Sequence, residues 1–185
     1  VTDAKYRKYV KGKDYLKAFE EALKDADAGS KVLYIPAGTF ELSGIWYIFG
    51  SDVKITGAGM WYTNLKFTNP NPFGGGISGG NGSHGPDGYC NNVEICNLYL
   101  NSNLRSRHNQ QAVYKCFMDV FKGGSVIHHV WEDHFECGFW IGDYNGKVDY
   151  SNDLKIISCR IRNNFADGVN FCQGTSNATV YNCSV

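Results

Sequence analysis

The feature that most constrains the fold is a short pattern that returns along the chain at uneven intervals. Ile156-x-x-Cys159-x-Ile161 is matched upstream by Val93-x-x-Cys96-x-Leu98 and downstream by Val180-x-x-Cys183-x-Val185. Val126-x-x-His129-x-Trp131 fits the same frame with histidine in the cysteine slot, so the steps between equivalent positions are 33, 30 and 24 residues. Self-similarity of this kind marks stacked units, each burying its apolar side only against its neighbours, with loops of differing length between short strands. Runs such as 93–95, 156–157 and 179–181 alternate inward apolar with outward polar residues and then meet Asn or Ser turns. The expected architecture is all-β, a right-handed parallel β-helix. Residues 93, 126, 156 and 180 should stack as one inward ladder, with Cys96, Cys159 and Cys183 as buried thiols on neighbouring coils.

Residues 1–185 read as one domain. Asp14 is placed to cap a helix over 14–28, in which Leu16, Phe19 and Leu23 recur at helical spacing and Gly29 supplies the stop. This helix is expected to cap the first coil, with coils running from 31 to 185. Residues 69–88 are Gly, Pro, Asn and Ser without periodicity and read as a projecting loop. Glycines 74 to 76 are followed by no Gly-Lys-Ser/Thr and no helix, which removes the phosphate-loop reading. Val185 falls inside a strand pattern rather than at the polar cap a solenoid end requires, so the domain is expected to be truncated at its C-terminus.

Charge excludes several partners. With 18 basic and 18 acidic residues and no basic run, nothing asks for nucleic acid or an anionic membrane surface. Seven cysteines form no CxxC, and His128, His129 and His134 lack ligand spacing with paired cysteines. No oxygen-ligand loop for calcium is present either, so no metal or cofactor is expected. Sequons at Asn81, Asn177 and Asn182 are compatible with an extracellular protein. Aromatic residues make up 15% of the chain. About half of the set Trp46, Tyr47, Trp61, Tyr62, Trp131, Trp140 and Tyr144 are expected to fill the core, leaving the rest free to stack on sugar rings.

Asp167 is the candidate catalytic residue. When Gly138 and Gly168 are aligned, Asp167 enters the slot of Cys137 and Asn170 the slot of Trp140, so polar groups appear on an otherwise apolar register. The alternative is an Asp-Gly turn whose side chain bonds its own backbone. A groove is expected in which Trp140, Asp143, Asn170 and His134 bind substrate around Asp167.

Two segments also carry a family resemblance. Residues 130–143, VWEDHFECGFWIGD, and 159–177, CRIRNNFADGVNFCQGTSN, resemble the catalytic coils of glycoside hydrolase family 87, the mycodextranases and α-1,3-glucanases. The resemblance implies a right-handed β-helix whose three aspartates hydrolyse α-1,3-glucosidic bonds with inversion, one in an Ala-Asp-Gly motif and two adjacent ones in a following Gly-Asp-Asp motif. The first maps onto Asp167. The pair has no match here, because a further 24-residue step falls beyond Val185. The partner would be an α-glucan polysaccharide and the location extracellular. A β-helix polysaccharide lyase or a non-catalytic polysaccharide-binding β-helix stands as the alternative.

Overall fold

In the computed structural model, residues 3–70, 74–80, 88–102, 104–105, 114–142 and 151–185 are described. The strands pair in parallel throughout, as a chain that winds in one sense must pair them. The largest sheet has nine strands. Its main path runs Val32–Ile35, Lys54–Gly57, Glu94–Ser102, Val126–Asp133, Lys155–Ile157 and Thr179–Tyr181, and Gly38–Leu42, Thr63–Phe67 and Arg160–Arg162 extend its second half. A five-stranded sheet stacks Trp46–Tyr47, Ile77–Ser78, Lys115–Asp119, Cys137–Ile141 and Val169–Phe171 in order of coil. A third sheet joins Gly50–Ser51, Cys90–Asn91 and Phe121–Lys122, and Ser151–Asn152 pairs with Thr175–Ser176. The fold is the parallel β-helix that the repeat predicts.

The inward ladder of the long sheet is Leu33, Ile55, Ile95, Ile127, Ile156 and Val180. Successive rungs lie about 4.8 Å apart, so each isoleucine is roofed and floored by its neighbours. The four isoleucines are fully buried, each contributing roughly 1.5–3 kcal/mol of apolar burial. Val180, on the last coil, stays 40% exposed.

This register corrects the sequence expectation in two places. Val93 and Val126 are not rungs with Ile156, since Ile95 and Ile127 hold those positions. Cys96 therefore pairs with His128 and lies on the outward side. Cys159 and Cys183 do share a slot, the Cys159 amide lying 3.4 Å from the Cys183 sulfur. The cause is a bend at Asn97, His129, Ser158 and Asn182, each left-handed with φ between 50° and 60°. That bend reverses the alternation after the core isoleucine, so a frame anchored on cysteine slips. Asn and His accept such φ more readily than most residues, whereas Ser adopts it against a steric cost.

The capping helix spans Leu16–Ala28 and ends at Gly29. Asp14 caps it from just outside, its Oδ1 accepting the Leu16 amide at 3.0 Å while its carboxylate also holds Ser43. Phe19 packs edge-on against Phe40 and Trp46, closing the first coil. A short additional helix, Ala4–Arg7, precedes it.

The glycine-rich run is not all projecting loop. Gly75 to Gly80 are buried, and Ile77–Ser78 is a strand of the five-stranded sheet. A Cβ at Gly76 would meet the carbonyl of Lys115, and one at Gly79 the carbonyl of Val120, so glycine is what lets these coils close up. Residues 71–73 and 81–87 lie outside the described residues.

Candidate active site

Asp167 ends the turn that carries the chain from Arg160–Arg162 to Val169–Phe171. That turn is pinned to the coil below by its backbone: Phe165 N donates to Phe135 O (3.1 Å), Ala166 N to Glu136 O (2.7 Å), and Gly138 N to Asp167 O (3.0 Å). Side chains add to this. Asn163 donates to Asp133 Oδ1 at 2.7 Å and Asn164 to Glu132 Oε1 at 2.6 Å, while Asn164 Oδ1 accepts the Phe135 amide at 3.3 Å. The Asp167 backbone is thus fixed, and its side chain is exposed.

Its carboxylate accepts one hydrogen bond, from Asn170 Nδ2 at 3.0 Å, and Asn170 Oδ1 in turn accepts the Cys172 thiol at 3.2 Å. Asn170 is the register partner of half-buried Trp140, and Gly138 aligns with Gly168 so that Asp167 takes the Cys137 column. One coil further down, Lys115 occupies that same column and places Nζ 4.6 Å from the Trp140 ring centroid. Burial lowers the Lys115 ammonium's pKa, partly countered by Asp119. The outer face of the five-stranded sheet therefore presents a carboxylate, an amide, an indole and an ammonium on three consecutive coils. An exposed carboxylate fixed on a rigid backbone can exchange protons with a bound polymer, and an indole face can carry a sugar ring.

The sequence-predicted residues divide on this geometry. Asp167, Asn170 and Trp140 come together. His134 lies at a bend with φ 61°, its Nδ1 2.9 Å from Asp133 Oδ1, at the end of the long sheet rather than on the five-stranded face. Asp143 and Tyr144 lie outside the described residues. Of the other aromatics, Trp46 is fully buried, whereas Trp61 and Tyr62 are exposed on the long-sheet side, where Trp61 meets Trp131 edge-on at 5.2 Å.

Two residues escaped the sequence reading. Lys115 shares the Asp167 column, but the intervening non-repeating stretch hid its register. Glu132 points inward, paired between Leu100 and Ile161, and is fully buried. Burial raises its carboxyl pKa to about 8 and the Asp133 charge adds to this, while Asn164 and the Arg162 amide pull the other way. The signal was present as an acidic residue in the inward phase of a strand.

Fold and site together define a parallel β-helix with a carboxylate displayed on its stacked outer face. Residues 8–185 match the family described as alpha-1,3-glucanase catalytic domain D2, and the chain belongs to that family, within glycoside hydrolase family 87. The catalytic domain of Agl-KA is similar over 93% of this chain and 30% of its own, with 50% identity and a TM-score of 0.82. The catalytic unit of a thermostable GH87 α-1,3-glucanase from Streptomyces thermodiastaticus strain HF3-3 shares the fold at 22% identity and TM-score 0.69, over 92% of this chain and 27% of that one. A GH87 α-1,3-glucanase catalytic domain in complex with nigerose does so at 24% identity and TM-score 0.64, over 94% and 29%. The chain spans about 30% of the length of the solved catalytic domain it matches at 50% identity. No curated protein matches it.

Proposed function

We propose that this chain is part of an extracellular glycoside hydrolase that cleaves α-1,3-glucosidic linkages with inversion, and that Asp167 is one of its catalytic carboxylates. The observation that carries the reading is the exposed Asp167 carboxylate, held by Asn170 beside the Trp140 ring of the preceding coil, within a chain of the α-1,3-glucanase family. Inversion requires two carboxyl groups about 6.5–9.5 Å apart, one protonating the leaving oxygen and one activating water. Stacked coils suit that separation, since one rung plus a sideways offset spans it. In a related GH87 catalytic domain, complexes with nigerose or tetrasaccharides were obtained with alanine at three aspartates, two consecutive and the third roughly one coil upstream. Those substitutions support aspartates as working groups of such a site, and Asp167 is read as one of them.

Trp140 and Asn170 are read as substrate contacts. An insoluble or polymeric glucan cannot enter a cell, which supports the extracellular location. Activity confined to the lysate of a producing culture and missing from its supernatant would remove that part of the reading.

The central test is Asp167→Asn in the complete catalytic unit. Glucan hydrolysis should fall by about 10²–10⁴-fold with unchanged circular dichroism. Near-normal turnover would return Asp167 to a turn residue. Proton NMR of the first product should show the β-anomer, and an initial α-anomer would overturn inversion.

A further inference from the structure

The outer face of the long sheet brings together an oxygen, a sulfur and a nitrogen donor. Glu94 and Cys96 are two residues apart on one strand and so project to the same face, and His128 is the register partner of Cys96 on the next coil. One carboxylate oxygen of Glu94, the Cys96 sulfur and a ring nitrogen of His128 all lie within 4.8 Å of one another. His128 Nε2 is 2.9 Å and Cys96 Sγ 3.6 Å from Glu94 Oε1. We propose that Glu94, Cys96 and His128 form a binding site for a divalent cation of the zinc class.

The donor set fits that class. Thiolate, imidazole and carboxylate together suit a borderline-soft ion, whereas calcium and magnesium take oxygen alone. Three protein ligands leave a fourth tetrahedral position, and Glu94 and His128 border an open groove of about 500 Å³ that Asp52, Lys54, Asn92 and Val126 also line, from which water can supply it. The other ring nitrogen of His128 is 2.8 Å from His129 Nδ1, the kind of second contact that orients a ligating imidazole. Cys96 is fully buried, its sulfur donating to Thr56 Oγ1 at 3.3 Å and accepting from Asn97 Nδ2 at 3.5 Å, so it is the inner ligand of the three.

Lys54 competes for the place. Its ammonium lies 2.6 Å from Glu94 Oε1, on the oxygen that His128 also shares. The side chain is 42% exposed and can swing into water when a doubly charged ion arrives. On binding, the Sγ–metal bond replaces the S–H bond and the thiol proton passes to solvent. No spacing rule finds this trio, because its members are united by coil stacking across more than thirty residues.

The test is a cobalt(II) titration of chelator-treated, reduced protein. A thiolate-to-cobalt charge-transfer band should grow to one equivalent and bleach on addition of zinc. Cys96→Ser should abolish it, and His128→Ala should weaken affinity at least about tenfold, the range seen even for outer partners of metal ligands. Lys54→Met should tighten binding, since it removes the competing cation at an exposed position where folding is not at stake. Absence of the band in both wild type and Lys54→Met overturns the site and leaves a hydrogen-bonded rung. A band that survives Cys96→Ser also overturns it, by placing the metal on another thiol.

Discussion

Asn170 donates to the Asp167 carboxylate at 3.0 Å from three residues further along, and the backbone between them begins the last strand of the five-stranded sheet. The amide fixes the direction in which the carboxylate points without neutralising it. Asn170→Ala should therefore lower kcat/KM of the complete enzyme by about tenfold, near the lower end for a hydrogen bond to a charged group. Trp140→Ala should instead act mainly on KM, because a stacking surface binds ground state and transition state alike. Steady-state kinetics on a soluble oligosaccharide separates the two. Equal effects on kcat and KM in both variants would count against these roles.

Glu132 gives the protein a pH-dependent stability. An unfolded glutamate titrates near about 4.3, whereas the buried one titrates at about 8. The folded state keeps its proton to higher pH, so this contribution is complete below the lower value and is lost as pH rises through the window between them. The limiting slope is about 1.4 kcal/mol per pH unit. Glu132→Gln keeps an acceptor for Asn164 and removes the titration. Urea unfolding across this window should show wild type weakening and the variant flat by comparison.

Gly138 has no room for a side chain. A Cβ there would come within 2.6 Å of Glu132 Oε1, 2.9 Å of Asn164 Nδ2 and 2.5 Å of the Gly168 carbonyl. Gly138→Ala should destabilise by about 1–3 kcal/mol through overpacking. It should also reduce activity more than a remote mutation of equal cost, because the displaced groups hold the turn that ends at Asp167. Thermal unfolding and kinetics on the same variant check both parts.

The seven cysteines should separate by reactivity. Cys90, Cys96, Cys116, Cys137 and Cys159 are buried, and burial pushes the thiols of Cys90 and Cys159 to about 12. Cys172 and Cys183 are only half-buried. A thiol reagent on native protein should label these two first, with the other five appearing on unfolding, and mass spectrometry identifies them.

Where sequence and structure agree or part follows from how much each coil constrains its own phase. On the five-stranded face, Gly138 and Gly168 mark the same point of successive coils, so Cys137 with Asp167 and Trp140 with Asn170 could be matched directly. On the long sheet, apolar residues at 93, 95, 96 and 98 satisfy more than one phase, and only the left-handed bend at Asn97 chooses between them. The Gly74 to Gly80 stretch gave no periodic signal because its strand is two residues long and flanked by glycines required for backbone approach. His134 looked like a neighbour of Asp167 in sequence order, but its place before the turn puts it on a different sheet.

The two sets of left-handed residues on the long sheet keep a fixed distance. Asn92 and Asn97, Gly124 and His129, Asp153 and Ser158, and Asn177 and Asn182 are each five residues apart. From Gly138 to Asp153 the chain takes fifteen residues, and from Gly168 to Asn177 only nine. One side of the coil thus keeps a constant length in these four coils, while the span from the Gly138/Gly168 position to the next left-handed residue differs by six residues. Residues can therefore be added or removed between the five-stranded face and the next long-sheet strand without altering the repeat that sets the winding of the long sheet.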